Sequence, residues 1–342
     1  MNKEAVLINT HDLPIPHVGE VHKGKVRSVY WQENNSGIMV ISDRISAFEC
    51  TWTSESGLEG IPSKGAALNA ISKHWFDEFH NNGLNGNHII DVPHPLIWRV
   101  NRAQPIMIEA IARQYITGSM WRDYEKGQRI FGGVTMSEGL TKDQKLGQIL
   151  ITPSTKGIIR NIAGIPEQDD VNITREQILD NYQAFGFQSI EDVYLYEKLL
   201  TQGFQLISEK LAKQGKIFVD TKFEFGYIKD QNGKLTMIYI DEIGTPDSSR
   251  YWDAALYNLG KSVEESKEKF RQDLLNCVPD KDILLNKNRM AERVALSKSF
   301  RVPDLVFEET SALYKKLAEE ITGKKLSEIV DARQEIISAL NL

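Results

Sequence analysis

The chain has little cysteine and no long apolar segment. Its two cysteines, Cys50 and Cys277, are too few for a disulfide framework and lack zinc-ligand spacing, which favours a reducing compartment. The seven histidines show no HxH or HxxxH spacing, so a histidine-based metal site is not expected. The N-terminal segment has an acid at Glu4 and only a short apolar run, unlike a signal peptide, and no run approaches a membrane span. These absences predict a cytoplasmic protein with no membrane partner.

The charge pattern also excludes several classes of protein. The net charge is −6, the pI is near 5.8, and no block of Lys and Arg stands out, so nucleic acid is not an expected partner. Neither the P-loop GxxxxGK[ST] nor the kinase GxGxxG is present. With 342 residues, 41% hydrophobic and 26% charged, the chain is typical of a globular protein with a sizeable core and two lobes.

The most informative segment runs from Ile217 to Trp252. Its first part alternates as a strand does, with a turn at 230–233 and a returning strand over 235–240. One side of the first strand is mainly apolar and the other is charged: Val219, Thr221, Phe223 and Phe225 against Asp220, Lys222 and Glu224. The returning strand ends at Asp241 and runs into a polar loop.

An acid–lysine–acid face on a strand points to a bound cation and phosphate. Carboxylates are poor strand formers and are costly to bury unpaired. Mg²⁺ prefers one or two carboxylates together with phosphate oxygens, and a lysine adds a point charge. The alternative is a solvated strand face on which Lys222 bridges two acids, and the pattern alone leaves both open.

The remaining elements follow from periodicity and from turn residues. Strands are predicted over 25–30, 38–42 and 104–115, a turn over 33–37, and helices over 66–79 and 191–214. Residues 153–170 resemble a loop. From Glu264 onward the chain is predicted to be helical, with breaks near Pro279 and Pro303, and its end to be a helical extension.

Three further segments carry weaker signals. A glycine turn precedes Lys25 and Arg27, which suits a nucleotide triphosphate. Residues 41–49 end a strand with Asp43, Arg44 and Ser46, where a strand-end ion pair is the simpler interpretation. Residues 108–121 read as a strand running into a helix start, which is either an anion site or simple capping.

Six motifs together resemble one family, the SAICAR synthetases of purine biosynthesis. In chain order they are GKVRSVY (24–30), SDRISAFE (42–49), ARQYITGSMW (112–121), TPSTK (152–156), VDTKFEFG (219–226) and DEIGTPDSSRYW (241–252). The chain departs from the family pattern at Glu49 (usually Asp), Gln114 (usually Gly) and Gln148-Ile149 (often Glu-Pro).

The resemblance implies a fold. It is an α+β, two-lobed SAICAR-synthase-like fold with mainly antiparallel sheets and ATP bound in the cleft between the lobes. We expect residues 1–115 to form a smaller N-terminal α+β lobe with the nucleotide phosphate loop. Residues 116–342 are expected to form a larger α+β lobe with the metal and substrate hairpin and the C-terminal helices.

The resemblance also implies a reaction. An ATP-dependent ligase would join carboxyaminoimidazole ribonucleotide and L-aspartate through an acyl phosphate, giving SAICAR, ADP and phosphate. ATP and Mg²⁺ are the implied cofactors, and a monomer or small homo-oligomer is expected. Two alternatives are a small-molecule kinase on a related ATP-binding scaffold and a nucleotide-binding protein without turnover.

The site residues come from the matching motifs, apart from Glu109 and Arg271, which lie outside them. The catalytic candidates are Lys222, Asp220 and Arg250, and the metal candidates are Glu224 and Asp241. The ATP-binding candidates are Lys25, Arg27, Glu109 and Lys156. The substrate-binding candidates are Asp43, Arg44, Ser46, Arg113, Ser119, Ser248, Ser249 and Arg271.

Overall fold

The computed structural model describes residues 2–230 and 232–342, which form two compact units. Unit 1 comprises Met1–His74, Ile89–Arg102 and Glu264–Leu342, and unit 2 comprises Trp75–His88 and Ala103–Val263. The structure therefore places the division elsewhere than the predicted boundary at residue 115. The C-terminal helices return to the N-terminal sheet, and a local sequence pattern carries no signal for such a long-range return.

Ten α-helices, one short 3₁₀ helix and sixteen strands occur in the described residues. The helices are α1 (Lys64–Asn81), α2 (Gly118–Glu125), α3 (Arg175–Asp180), α4 (Ile190–Ala212), α5 (Ala254–Asn258), α6 (Lys267–Cys277), α7 (Asp282–Leu285), the 3₁₀ helix Lys287–Arg289, α8 (Met290–Ser299), α9 (Asp304–Thr322) and α10 (Ala332–Ala339). The strands are β1 (His22–Lys23), β2 (Arg27–Trp31), β3 (Ser36–Ile41), β4 (Ser46–Ala47), β5 (Cys50–Thr51), β6 (Ile89–His94), β7 (Ile97–Asn101), β8 (Gln104–Pro105), β9 (Ile108–Tyr115), β10 (Ile130–Phe131), β11 (Val134–Thr135), β12 (Lys145–Ile151), β13 (Ser154–Thr155), β14 (Lys216–Lys229), β15 (Leu235–Ile240) and β16 (Ser249–Asp253).

Unit 1 contains an antiparallel five-stranded sheet in the order β1-β2-β3-β7-β6. A separate apolar cluster joins the β4–β5 hairpin to the C-terminal helices, with Ile45 and Trp52 in the same cluster as Phe270 and Phe307. The predicted breaks are confirmed, since α6 ends before Pro279 and α9 begins after Pro303. The end of the chain is thus part of a core and more than a helical extension.

Unit 2 contains a larger sheet centred on the long strand β14, in the order β12-β9-β14-β15. Strand β16 pairs with the first half of β14, and β8 pairs with its second half. Helix α4 packs on β14, because Gly203 lets it approach closely: a β-carbon there would lie 2.9 Å from the ring of Phe223. The apolar side of β14 is therefore buried beneath a helix.

The predicted elements of unit 2 are largely present. The returning strand is β15, with the predicted bounds, and the helix predicted over 191–214 is α4. The strand predicted over 104–115 is two strands, β8 and β9. The turn predicted over 230–233 includes Gln231, which lies outside the described residues; Asp230 and Gly233 close it through a 3.0 Å backbone hydrogen bond.

Helices and mainly antiparallel sheets make the fold α+β, as predicted. No helix in the described part of the chain is long and apolar enough to cross a membrane.

Candidate functional site

Strand β14 has one core face and one polar face, as its alternation predicts. Phe223 and Phe225 are buried, and the Phe225 ring lies 6.2 Å from that of Tyr196 on α4. On the opposite face, the side chain of Asp220 is 7% exposed, that of Lys222 is 26% exposed and that of Glu224 is 5% exposed. A row of charges this well covered is more than a solvated strand face.

The ladder beside β14 opens at Lys222. Strand β16 pairs with β14 up to Thr221, and β15 takes over at Glu224. Between them the chain leaves the sheet through residues 241–248, and the Lys222 N–H donates to the carbonyl of Ser248 at 3.0 Å. Asp241 begins this loop in the left-handed region at φ 58°, which acidic residues tolerate better than most. The opening brings Asp241 and Ser248 beside the polar face.

Asp220 holds two arginines on this face. The carboxylate accepts from Arg113 Nη1 at 2.9 Å and from Arg250 Nη1 at 2.5 Å. Arg113 Nε also donates to Thr152 Oγ1 at 2.9 Å. Burial lowers the pKa of Arg113, the negative charge of Asp220 opposes that shift, and Arg250 adds to it. Two guanidiniums on one carboxylate leave a net positive charge, which suits an anion.

A cleft of about 650 Å³ adjoins Arg113. It is lined by Arg113, Ser119 and Thr152, together with residues of β10 and of the segment 172–174. Ser119 is exposed in the first turn of α2, whose N-cap residue Thr117 makes no side-chain capping bond. A β-carbon at Gly118 would lie 2.4 Å from Arg250 Nη2, so glycine lets the guanidinium reach the start of this helix. A helix N-terminus with two arginines nearby binds phosphate well.

Lys222 is held between carboxylates. Its ammonium group donates to Glu109 Oε1 at 3.0 Å and to Glu224 Oε1 at 2.7 Å. Lys156, from the loop after β13, contacts the other oxygen of Glu224. Burial alone would lower the pKa of Lys222, but the negative charges of Glu109, Asp241 and Glu242 outweigh it, so the pKa is raised. The lysine therefore stays charged at neutral pH.

Glu224 and Asp241 are the two acids that the sequence predicts to hold Mg²⁺. In the described residues, no group of three or more His, Cys, Asp or Glu side chains is arranged to hold a metal ion. Mg²⁺ needs only one or two carboxylates when phosphate oxygens complete its shell. The almost fully buried carboxylate of Glu224 is already neutralised by two lysines, and Asp241 acts on one of them. A cation at Glu224 would therefore have to displace at least one of these two lysines.

The structure places the two predicted substrate-binding serines of this segment, Ser248 and Ser249, differently. The hydroxyl oxygen of Ser248 lies 3.1 Å from that of Thr245, and the residue stays partly exposed. Ser249 is buried on the other side of β16, with its hydroxyl 2.8 Å from that of Thr221. Successive residues of a strand point to opposite faces, so the strand that presents Arg250 to the site turns Ser249 into the core.

Sequence reasoning missed two polar contacts of the site. Thr152 fixes Arg113, and Ser154 Oγ lies 3.4 Å from Glu109 Oε2. Both residues belong to the TPSTK motif, where only the lysine was selected. That motif could have identified them, because threonine and serine are common partners of charged side chains.

Lys25 and Arg27, the ATP-binding candidates of unit 1, lie just before and at the start of β2. Gly24 N–H donates to the carbonyl of Arg27 at 2.7 Å, so the predicted glycine turn is present and β2 begins only at Arg27. Lys25 is exposed, whereas Arg27 is buried. The two cations therefore do not form one exposed face, because alternation starts after Lys25.

Asp43 does not face an open site. Its side chain is buried, and it accepts from the Leu7 N–H at 2.9 Å and from the Gly65 N–H at 2.8 Å, in the first turn of α1. Burial raises its pKa to about 6, against the lowering effect of these hydrogen bonds and of Lys64. This carboxylate accepts from backbone amides at the start of a helix inside the core, and its role in substrate binding stays a prediction.

The other unit 1 candidates are partly exposed. Arg44 donates from Nε to Ser42 Oγ at 3.3 Å, and burial lowers its pKa. Ser46 begins β4 and is half-buried. Arg271 on α6 is paired with Glu268 one turn earlier, at 3.1 Å. Arg44 and Ser46 thus remain near the surface, and Arg271 is engaged on its own helix.

Comparison with known sequences places the chain close to one family. A sequence model described as SAICAR synthetase matches residues 20–288. A phosphoribosylaminoimidazole-succinocarboxamide synthase of Psychromonas ingrahamii is 56% identical over 356 residues, covering 99% of this chain and 97% of the relative. The enzyme of the same name from Shewanella amazonensis is 56% identical over 355 residues, covering 98% of this chain and 97% of the relative.

Solved structures agree. A SAICAR-synthase from Saccharomyces cerevisiae complexed with SAICAR superimposes with a TM-score of 0.69 at 27% identity, covering 94% of this chain and 99% of that one. A SAICAR synthetase from Pyrococcus horikoshii has the same fold, with a TM-score of 0.58 at 21% identity over 88% of this chain and 99% of that one.

Proposed function

The chain belongs to the SAICAR synthetase family, and we propose that its reaction is carried by the polar face of β14. It is an ATP-dependent ligase of purine biosynthesis that acts on small molecules. Neither alternative from the sequence, a small-molecule kinase or a nucleotide-binding protein without turnover, has support among these relatives. What remains to be assigned is which residues do which part of the work.

The chemistry sets the requirements. The carboxylate of carboxyaminoimidazole ribonucleotide is a poor electrophile, because its charge repels nucleophiles. Transfer of the γ-phosphoryl group of ATP to a carboxylate oxygen forms an acyl phosphate and releases ADP. The amine of L-aspartate then attacks the acyl carbon, the C–O bond to phosphate breaks, and the amine loses a proton to give SAICAR and phosphate. These steps need positioning and charge neutralisation more than a protein nucleophile.

The observation that carries the proposal is the position of Lys222. It is a charged lysine held between Glu109 and Glu224 on a rigid central strand. We assign it to the negative charge that develops on the transferred phosphoryl group and the reacting carboxylate, where an oriented charge has its largest effect. Glu109 keeps it oriented, and we assign this acid to the nucleotide site.

The arginine pair is assigned to the ribonucleotide. Arg113 and Arg250, both held by Asp220, present a net positive charge beside the cleft that Ser119 lines. This combination suits the sugar phosphate, with Ser248 contributing a hydroxyl. Asp220 acts here by fixing both guanidiniums.

Mg²⁺ and ATP are assigned to the acids and lysines further along the strand. Glu224 and Asp241 would hold the cation, which when bound neutralises phosphate charge. Lys156, on the loop after β13, contacts Glu224 and would bind a phosphate oxygen of ATP. In unit 1, Lys25 and Arg27 are assigned to ATP, through the glycine turn that precedes β2.

The L-aspartate contacts are assigned to Arg44 and Ser46. Arg44 supplies a cation for a carboxylate, and Ser46 supplies a hydroxyl, while Asp43 shapes the segment from within the core. Arg271 remains a weaker candidate because Glu268 already pairs with it. A monomer or small homo-oligomer and a cytoplasmic location stay predictions.

The proposal is tested by phosphate release from Mg²⁺-ATP, with the imidazole ribonucleotide and L-aspartate supplied separately and together. Release that requires both, with an equal amount of SAICAR, supports it. Phosphoryl transfer that ignores L-aspartate would contradict it and would favour a kinase. ATP binding without any turnover would contradict it in favour of a binding protein.

A further inference from the structure

Arg293 is a buried cation beyond the end of the family match. It lies on α8, which starts after residue 288, the last residue matched. Arg293 as a whole is only 3% exposed. It donates from Nε to the carbonyl of Ile283 at 3.1 Å and from Nη2 to that of Asn286 at 3.0 Å. Nη1 donates to the carbonyl of Phe48 at 3.3 Å. Within the described part of the chain, Arg293 has no carboxylate partner.

The Phe48 carbonyl belongs to an unusual turn. Strands β4 and β5 pair Ser46 with Thr51 and Ala47 with Cys50, so Phe48 and Glu49 alone form the loop. Both have positive φ, 53° and 66°. Two-residue hairpins of this kind favour Asn-Gly or Asp-Gly, because side chains such as those of Phe and Glu are disfavoured there. The turn is strained and must be held by its surroundings.

The surroundings that hold it come largely from the C-terminal helices. Trp52 Nε1 donates to the carbonyl of Ala47 at 3.0 Å, within the hairpin itself. Phe48 belongs to the same apolar cluster as Met290 and Val294 of α8. Arg293 supplies the hydrogen bond that ties the centre of the turn to α8. An arginine suits this role, because its planar fork reaches carbonyls from two chain segments at once.

We propose that Arg293 is a positioning residue that fixes the Phe48–Glu49 turn and thereby places Arg44 and Ser46 for L-aspartate. The inference rests on the proposed function of Arg44 and Ser46. It extends that function to a helix outside residues 20–288, the segment that the family model matches. Ser46 is the first residue of the hairpin, so a turn that relaxes shifts its hydroxyl directly.

The test compares Arg293→Met with Arg289→Met in the full chain. Arg289 lies in the same segment but pairs with Asp280, Asp282 and Glu292 at the surface. We expect Arg293→Met to raise the KM for L-aspartate roughly tenfold or more, the size that a small misplacement produces. The KM for the ribonucleotide, whose candidates lie in unit 2, should not change, and Arg289→Met should change neither. Equal changes in both KM values, or the same effect in Arg289→Met, would overturn the proposal.

A second variant separates positioning from general loosening. Glycine adopts positive φ without strain, so Glu49→Gly in the Arg293→Met background should return the KM for L-aspartate towards the wild-type value. A general loss of stability would not be corrected at this one position. Failure of the glycine to restore the KM would count against the proposal. If Arg293→Met does not fold, Arg293→Lys keeps the charge without the fork and should show the same rise in KM and the same rescue.

Hydrogen exchange keeps this inference distinct from the assignment of Arg44. Amides of residues 46–51 should exchange faster in Arg293→Met, and Glu49→Gly should slow them again. If they do, but Arg44→Met leaves the KM for L-aspartate unchanged, the assignment of Arg44 to L-aspartate is wrong. The stabilisation of the turn by Arg293 is then still supported. Unchanged hydrogen exchange in Arg293→Met would show that Arg293 does not stabilise the turn.

Discussion

The polar face of β14 in unit 2 and two sites in unit 1, at Asp43 and Arg293, use buried charge in opposite ways. On β14 in unit 2, charged side chains pair with one another: Lys222 with Glu109 and Glu224, and Asp220 with two arginines. In unit 1, Asp43 and Arg293 are buried as deeply but pair with backbone groups.

The difference separates reaction chemistry from support. A side-chain ion pair beside a cleft can exchange a partner for a phosphate or a metal ion, because each partner is only partly committed. A charge bound to backbone amides or carbonyls fixes the chain and has nothing to exchange. The pairing of a buried charge, more than its burial, therefore indicates whether it serves ligand or fold.

The largest effect on stability is expected at Asp220. Asp220→Asn leaves two guanidiniums without their shared carboxylate, which should cost about 3 kcal/mol or more of unfolding free energy. Asp91→Asn is the matched control, because its pair with Arg99 is half exposed and should be worth less than about 1 kcal/mol. Urea denaturation measures both. Similar losses of unfolding free energy in the two variants would show that the covered network stabilises the fold no more than the surface pair does.

Asp43 should make the free energy of unfolding depend on pH. Burial raises its pKa to about 6, above its value in the unfolded chain. Its stabilising contribution is therefore complete at low pH and is lost as the pH rises through the folded pKa. Between about pH 4 and pH 7, the wild type should lose up to about 3 kcal/mol relative to Asp43→Asn, which does not titrate. Denaturation measures both proteins across this range. If Asp43 were exposed or paired like the acids of β14, the difference between their free energies of unfolding would stay constant.

A smaller effect, on binding alone, is expected at Asp241. Asparagine also tolerates positive φ, so Asp241→Asn should keep the loop while weakening Mg²⁺-ATP binding about tenfold or more. Calorimetry with and without Mg²⁺ checks this, since ATP binding in the absence of the metal should not change. Unchanged Mg²⁺-ATP affinity would make Asp241 a structural acid.

The smallest effect is expected at Gln114, one of the departures from the family pattern. Its side-chain amide donates to the carbonyl of Leu146 at 2.7 Å, where β12 bulges away from β9. Gln114→Gly should cost about 1 kcal/mol through the lost hydrogen bond and leave turnover unchanged. A large fall in turnover measured alongside thermal melting would show that this departure serves the reaction.

Local periodicity predicted the hairpin and its two faces, because a strand alternates with period two whatever surrounds it. The pairing of Asp220 with Arg113 across β9 and β14 joins residues far apart in sequence, which no local pattern encodes. Ser249 was assigned to the site from its motif, whereas the alternation of β16 turns it inward. Arg293 had no sequence signal, because its partners are backbone carbonyls that any residue supplies.

The charge network of β14 is tested most directly by turnover of Lys222→Met beside Lys229→Met. Both lysines lie on β14, but Lys229 is exposed at its far end. The network predicts that Lys222→Met lowers turnover by about 100- to 1,000-fold or more while the protein still melts cooperatively. Lys229→Met should keep the wild-type rate. Equal rates in the two variants would show that Lys222 is a structural charge and that the reaction is not carried by this face.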